Sequence, residues 1–164
     1  MRLKDLIRQA FSDLKRPTAG SIANRDAVPI SLEALAVEAF FSDYDWSAVT
    51  KDVLAEYRGD QRACLYFMTP NAFLYYYPAY MCIVLDDAND MGGFLYPVVS
   101  IACRGEEKED LFDFMLHKYD VAKRQCVGLF LSSVHDRFVK QLGWMQPTLD
   151  PRSAAERYWL SSAP

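Results

Sequence analysis

From Ala63 to Leu85 the chain runs 23 residues without a charged side chain, ACLYFMTPNAFLYYYPAYMCIVL, with five tyrosines and two prolines. A run of this kind can be a membrane span, the centre of a core or the centre of an interface. Its length suits a bilayer, which takes about 20 apolar residues as a helix. Its composition does not, because Tyr66, Tyr75, Tyr76, Tyr77 and Tyr80 would carry hydroxyls into lipid, and Asn71 and two prolines add polar or interrupted backbone. The run therefore reads as the packing centre of a water-soluble protein, with no membrane association.

Local chemistry divides the run. Thr69-Pro70 is a helix start, since threonine can cap an orphan amide and proline at the first helical position has no amide to lose. Pro78 removes an amide and crowds the preceding turn, which predicts a Pro-broken central helix in two pieces, 70–77 and 78–87. Residues 63–68 read as a short strand or an extended lead-in.

The rest of the chain is organised at helical spacing. Leu3, Leu6, Ile7, Ala10, Phe11 and Leu14 form one stripe of a helix over 2–15, stopped by Pro17 to Gly20. Ser31 starts a second helix with Leu32, Leu35, Ala36, Ala39 and Phe40 as its apolar face. Asp43 or Asp45 caps a third, carrying Trp46, Val49, Val53 and Tyr57. Residues 89–93 read as a turn, and 94–103 mixes Val, Ile, Tyr and Pro in a pattern nearer to strand or extended chain. Helices are expected from Glu106 to about Lys118, from an Asp120 cap to Val139, and from a capping box at Ser153. The expected fold is mainly α, a single compact domain over 1–164 with about six to eight helices and at most a minor β element near 63–68 and 94–103.

Composition sets limits on function. Apolar residues are 51% and charged residues 24% of the 164, which is globular usage. The net charge is −4, and residues 1–25 carry six Lys/Arg against two Asp, so the remainder holds 12 basic against 20 acidic residues. That balance opposes phosphate neutralisation and excludes a nucleic-acid partner in favour of a basic protein one. Cys64, Cys82, Cys103 and Cys126 make no CxxC pair and no apolar leader precedes them, so reduced thiols in the cytoplasm are expected.

No reaction chemistry assembles from the sequence. His117 and His135 lack metal-ligand spacing, so neither a metal nor a cofactor is expected. Ser133, His135 and Asp136 are too close along one helix to serve as nucleophile, base and orienter. A calcium loop beginning at Asp87 fails, because Met91 and Val98 would occupy oxygen-ligand positions. Glu106, Glu107, Glu109, Asp110 and Asp113 form the densest acidic cluster, with Asp86, Asp87 and Asp90 as a second. Both are candidate partner-binding residues, because like charges held together repel and a basic partner reverses that cost.

The stretch Tyr66-Phe67-Met68-Thr69-Pro70-Asn71-Ala72-Phe73, continuing through Tyr75-Tyr76-Tyr77-Pro78-Ala79-Tyr80-Met81, resembles a family of small bacterial proteins of unknown function that share a motif of the form (F)(L/M)TPxAFxYYxPAY. Thr69, Pro70, Phe73, Tyr76, Pro78, Ala79 and Tyr80 match it, and each has a structural reading as cap, first turn, core aromatic, kink or close contact. Some proteins of this general kind are similar to immunity proteins encoded beside secreted antibacterial toxins. The resemblance implies a non-enzymatic immunity protein that neutralises a cognate toxin, and the acidic clusters point to a basic active-site surface on that toxin. The alternative is a small enzyme or ligand-binding domain with a tyrosine-lined pocket and Cys126 or His117 as the reactive group. Self-association of the aromatic patch as a symmetric homodimer is a third expectation.

Overall fold

The structure is a computed structural model, and it describes residues 2–26, 31–86, 93–105, 109–141, 143 and 148–161. Its described residues are mainly helical and contain no strand; Ala23 and Met68 form an isolated antiparallel bridge. They divide into two compact units, one formed by Asp13–Asp86 and one by Met1–Ser12 with Asp87–Pro164.

The first unit is built on α5, Pro70–Asp86. Thirteen consecutive residues of it, Ala72 through Val84, are buried. A helix apolar all round has no solvent face to keep, so burial rather than amphipathicity holds it. The helix runs unbroken through Pro78 where two pieces were expected. Proline cannot donate to the carbonyl of Leu74, so the ladder loses one bond, and packing on every side of the helix outweighs that local loss.

Around α5 lie α2 (Leu32–Phe41), a 3₁₀ turn (Trp46–Ala48), α3 (Lys51–Ala55) and α4 (Cys64–Phe67). The expected third helix is thus divided. Val49 is extended and Thr50 opens a new cap, its hydroxyl accepting from Val53 N at 3.2 Å. Cys64–Phe67 is a helical turn rather than a strand.

Ser31 caps α2 as expected, accepting from Ala34 N at 3.3 Å. The buried face is the reverse of the one anticipated. Ala34, Val37, Glu38 and Phe41 face inward, while Leu32 is 79% and Leu35 41% exposed and Ala36 and Ala39 are also exposed. Glu38 explains the inversion. Its carboxylate accepts the backbone N–H groups of Gly20 at 2.6 Å, Ile22 at 2.9 Å and Ala23 at 2.8 Å, with Arg25 4.0 Å away. Turning the helix the other way would strand three amides of the 20–23 loop and leave a carboxylate in water.

The second unit centres on α8, Val121–Val134, capped by Asp120 through Lys123 N at 2.9 Å and continued by a π-helical segment, His135–Gln141. Helix α1 (Leu3–Ala10) packs on it, with the Phe11 and Tyr119 rings edge-to-face at 5.1 Å. The first helix is shorter than 2–15 because the chain turns at residues 11–13. Residues 94–103 form a helix, α6 (Leu95–Ala102), and not a strand. Pro97 falls in its first turn, where its missing amide is harmless, and Val98, Val99 and Ile101 are fully buried. Helix α7 (Glu109–Lys118) follows. The last helix, α9 (Pro151–Ala154), is started by Asp150 rather than Ser153, since the Asp150 carboxylate accepts from Arg152 N and Ser153 N, both at 3.1 Å. It continues as a π-helical segment, Ala155–Trp159, whose Trp159 Nε1 donates to Ala102 O at 2.8 Å. Gly128 lets that segment approach α8, because a Cβ there would lie 2.6 Å from Leu160 carbons and 3.1 Å from Trp159 Cβ.

Candidate functional site

Each motif residue has a task within the first unit. Thr69 both caps and tethers: its hydroxyl accepts from Ala72 N at 3.3 Å and donates to Ser21 O at 2.8 Å, while its amide donates to Ile22 O at 2.7 Å. The 20–23 loop is thereby held at one end by Thr69 and along its amides by Glu38. Pro70 is the first residue of α5. Phe73 is fully buried, with its ring 5.2 Å from that of Tyr77. Pro78 and Ala79 are buried among the same side chains.

The tyrosine hydroxyls are engaged inside the protein. Tyr76 Oη lies 2.8 Å from Phe41 O and 3.0 Å from Tyr44 O, and can donate its proton to either. Its ring meets Phe41 at 4.8 Å, and burial pushes its pKa up to about 12. Tyr80 donates to Gln61 O at 3.2 Å, and burial, with the neighbouring Cys64 thiol, raises its pKa well above the ordinary value. A phenol so held is a structural strut. It is not poised to exchange a proton with a ligand.

Tyr75 reaches the edge of a cleft. It donates to Asp45 Oδ1 at 3.0 Å, and Arg16 pairs with the same oxygen at 3.5 Å while its other nitrogen reaches Ser42 O. Beside it is a cleft of about 370 Å³ lined by Leu14, Lys15, Pro17, Ser21, Asn71, Leu74 and Tyr75. Only one of the motif-region tyrosines lines it, and Cys126 and His117 do not. Burial raises the Cys126 pKa and pushes that of Cys64 up to about 12, so both stay thiols at neutral pH. His117 Nδ1 is 2.8 Å from Asp113 O on its own helix.

Of the acidic candidates, Glu109 and Asp110 are exposed on α7 and Asp113 is half-exposed. The structure brings Glu109 and Asp113 together on one cation. Arg104 Nε is 3.4 Å from Glu109 Oε1 and Arg104 Nη2 is 3.9 Å from Asp113 Oδ1. The guanidinium also lies 5.7 Å from the centre of the Phe112 ring. Arg104 has φ of 59°, a left-handed conformation at the end of α6 where glycine is usual, and Gly105 N closes the motif on Ser100 O at 2.8 Å. Asp86 is exposed at the end of α5. Glu106, Glu107, Asp87 and Asp90 lie outside the described residues.

Two features escaped the sequence reading. One is the pairing of the α7 carboxylates by Arg104, whose position in a helix-ending glycine slot has no sequence signature. The other is where the net charge resides. Residues 13–86 hold ten Asp/Glu and six Lys/Arg, a net of −4, whereas residues 1–12 with 87–164 hold twelve of each. All the carboxylates of the first set except Glu38 are exposed. A count by structural unit, rather than of residues 1–25 against the remainder, finds this, and the second unit is not contiguous in sequence.

Among the described residues, no group of three His, Cys, Asp or Glu could hold a metal ion, and no helix is long and apolar enough to cross a membrane. The model of a family of unknown function, DUF6714, matches residues 1–163. No curated protein and no solved structure matches the chain significantly.

Proposed function

The chain belongs to that family of unknown function over nearly its whole length, and we propose from its own surface that it is a non-catalytic binding protein, an immunity protein that neutralises a cognate antibacterial toxin by direct contact with the toxin's basic active-site surface. The observation that carries this reading is the segregation of charge. The full net charge of −4 belongs to the unit formed by residues 13–86, and its carboxylates stand on the outside. Concentrated like charge is a cost in the free protein that an oppositely charged cleft turns into faster and tighter association. The exposed α7 carboxylates supply a second acidic surface, partly compensated by Arg104. The cytoplasm is where such a protein meets its toxin.

The reading of an enzyme with a thiol or imidazole centre is the weaker one. It needs a thiolate or a free imidazole facing a pocket, and burial holds the Cys64, Cys103 and Cys126 thiols protonated. The test is co-expression with the product of the neighbouring toxin gene. Protection of the host and co-elution of the two proteins are expected, and continued toxicity with no complex on gel filtration would remove the proposal.

A further inference from the structure

Resting on that reading, we infer that the partner docks on the outward face of α2, where Leu32, Leu35, Ala36 and Ala39 form an apolar stripe, and that it presents there an apolar segment flanked by lysine or arginine. The stripe falls at spacings of three, one and three, so it is one continuous side of the helix. Leu32 and Leu35 stand 79% and 41% exposed although the helix has an alternative, already apolar, inward side. Apolar surface of this kind, contiguous along a helix, is what a helix-on-helix contact buries.

The surroundings specify the chemistry of the occupant. Phe40, half-buried at the edge of the stripe, has its ring 5.2 Å from the half-buried Tyr44 and 5.3 Å from Tyr57, which is buried beneath them, so an aromatic edge of Phe40 and Tyr44 continues the apolar surface. Carboxylates lie near that edge, Glu56 in contact with it. After burial, it is Glu56 and Asp43 that act on the Tyr44 phenol, and Tyr57 feels Glu33 and Asp60, the latter paired with Arg62 at 3.0 Å, besides the Cys64 thiol. Tyr44 donates to Glu56 Oε2 at 3.4 Å. An apolar centre inside an acidic rim matches the anatomy of a protein interface, and the rim selects a basic partner. A second copy of this chain is disfavoured, since a two-fold contact through α2 would set the same carboxylates against one another.

The test uses the full chain, isotopically labelled, titrated with a short amphipathic helical peptide of leucine and lysine and, separately, with its leucine and glutamate counterpart. Amide shifts should concentrate on residues 32–40, 44 and 57 with the lysine peptide and be absent with the glutamate peptide. Leu32→Ser with Leu35→Ser should weaken the lysine peptide at least about tenfold, from the lost burial of two leucines. These side chains are exposed, so an unchanged circular dichroism spectrum is expected, and Leu32→Ser alone serves if the double variant does not fold. Shifts centred elsewhere, equal binding of both peptides, or a mass that doubles with concentration and reverts in the double variant would overturn the assignment. Co-expression separates the two levels of inference. A toxin neutralised equally by wild type and the double variant removes the α2 surface and leaves the function standing, whereas a toxin that wild type does not neutralise removes the function.

Discussion

Replacing Glu38 by glutamine should be among the most damaging conservative changes available in this chain. The carboxylate accepts three backbone N–H groups, one on Oε1 and two on Oε2, at 2.6–2.9 Å, with Arg25 4.0 Å away. A glutamine keeps one acceptor oxygen. Whichever way the amide is turned, its NH₂ faces at least one of those backbone donors and leaves it unpaired, at about 1–3 kcal/mol for a buried group. The remaining bonds lose their charge assistance, worth about 1 kcal/mol more. Together these give about 3 kcal/mol, a large share of an ordinary stability of about 5–15 kcal/mol. Urea denaturation followed by circular dichroism measures the loss, and hydrogen exchange locates it, with the amides of Ile22 and Ala23 expected to lose protection first. Glu33→Gln, on the exposed side of the same helix, should change stability by less than about 0.5 kcal/mol. A Glu38→Gln protein within about 1 kcal/mol of wild type, with Ile22 and Ala23 still protected, would refute the argument that this carboxylate sets the facing of α2.

Other consequences can be measured in the same way. Tyr76→Phe removes the donor to the Phe41 and Tyr44 carbonyls while keeping the ring contact with Phe41, and should cost about 1–2 kcal/mol by denaturant titration. Gly128→Ala gains helix propensity but drives a methyl toward Leu160 and Trp159 Cβ, so a net loss of about 1–2 kcal/mol is expected, and a stabilised variant would show that Leu160 moves aside freely. Cys64 and Cys103, each pushed up to about 12 by burial, should react slowly with a thiol reagent at pH 8 and fully after unfolding. Because their folded pKa values lie above the unfolded ones, their stabilising contribution is complete below about pH 9 and is lost between about 9 and 12. At the acid end, hydrogen bonds from Arg62, Lys140 and Ser153 hold Asp60, Asp136 and Asp150 below the usual range, so stability should fall as pH drops below about 4.

The parts of this fold legible in the sequence are those decided by neighbours along the chain. The starts at Ser31, Thr69-Pro70 and Asp120 follow from a side-chain oxygen placed two or three residues before an amide, and each cap forms as expected. What could not be read was decided by contacts distant in sequence. LEALAVEAFF has apolar residues at eight of ten positions, so either side of α2 could serve as its core face. The choice falls to Glu38 and amides 15–18 residues away. Pro78 obeys no local rule, because burial from Ala72 to Val84 outweighs one missing ladder bond. Likewise the Val and Ile of residues 94–103 suggest a strand, but tertiary burial overrides so weak a preference and Pro97 fits a helix's first turn. The acidic candidates divide in the same manner. Their exposure on α7 follows from helical spacing, whereas their pairing with Arg104 depends on how α6 ends.

The central claim is that the chain acts by binding a basic protein surface, and one titration addresses it most directly. Calorimetry of the purified chain against the product of the neighbouring toxin gene, repeated over increasing salt, should give a stoichiometric complex whose affinity falls steeply as ionic strength rises. A complex insensitive to salt, or no complex at protein concentrations that protect the cell, would contradict it.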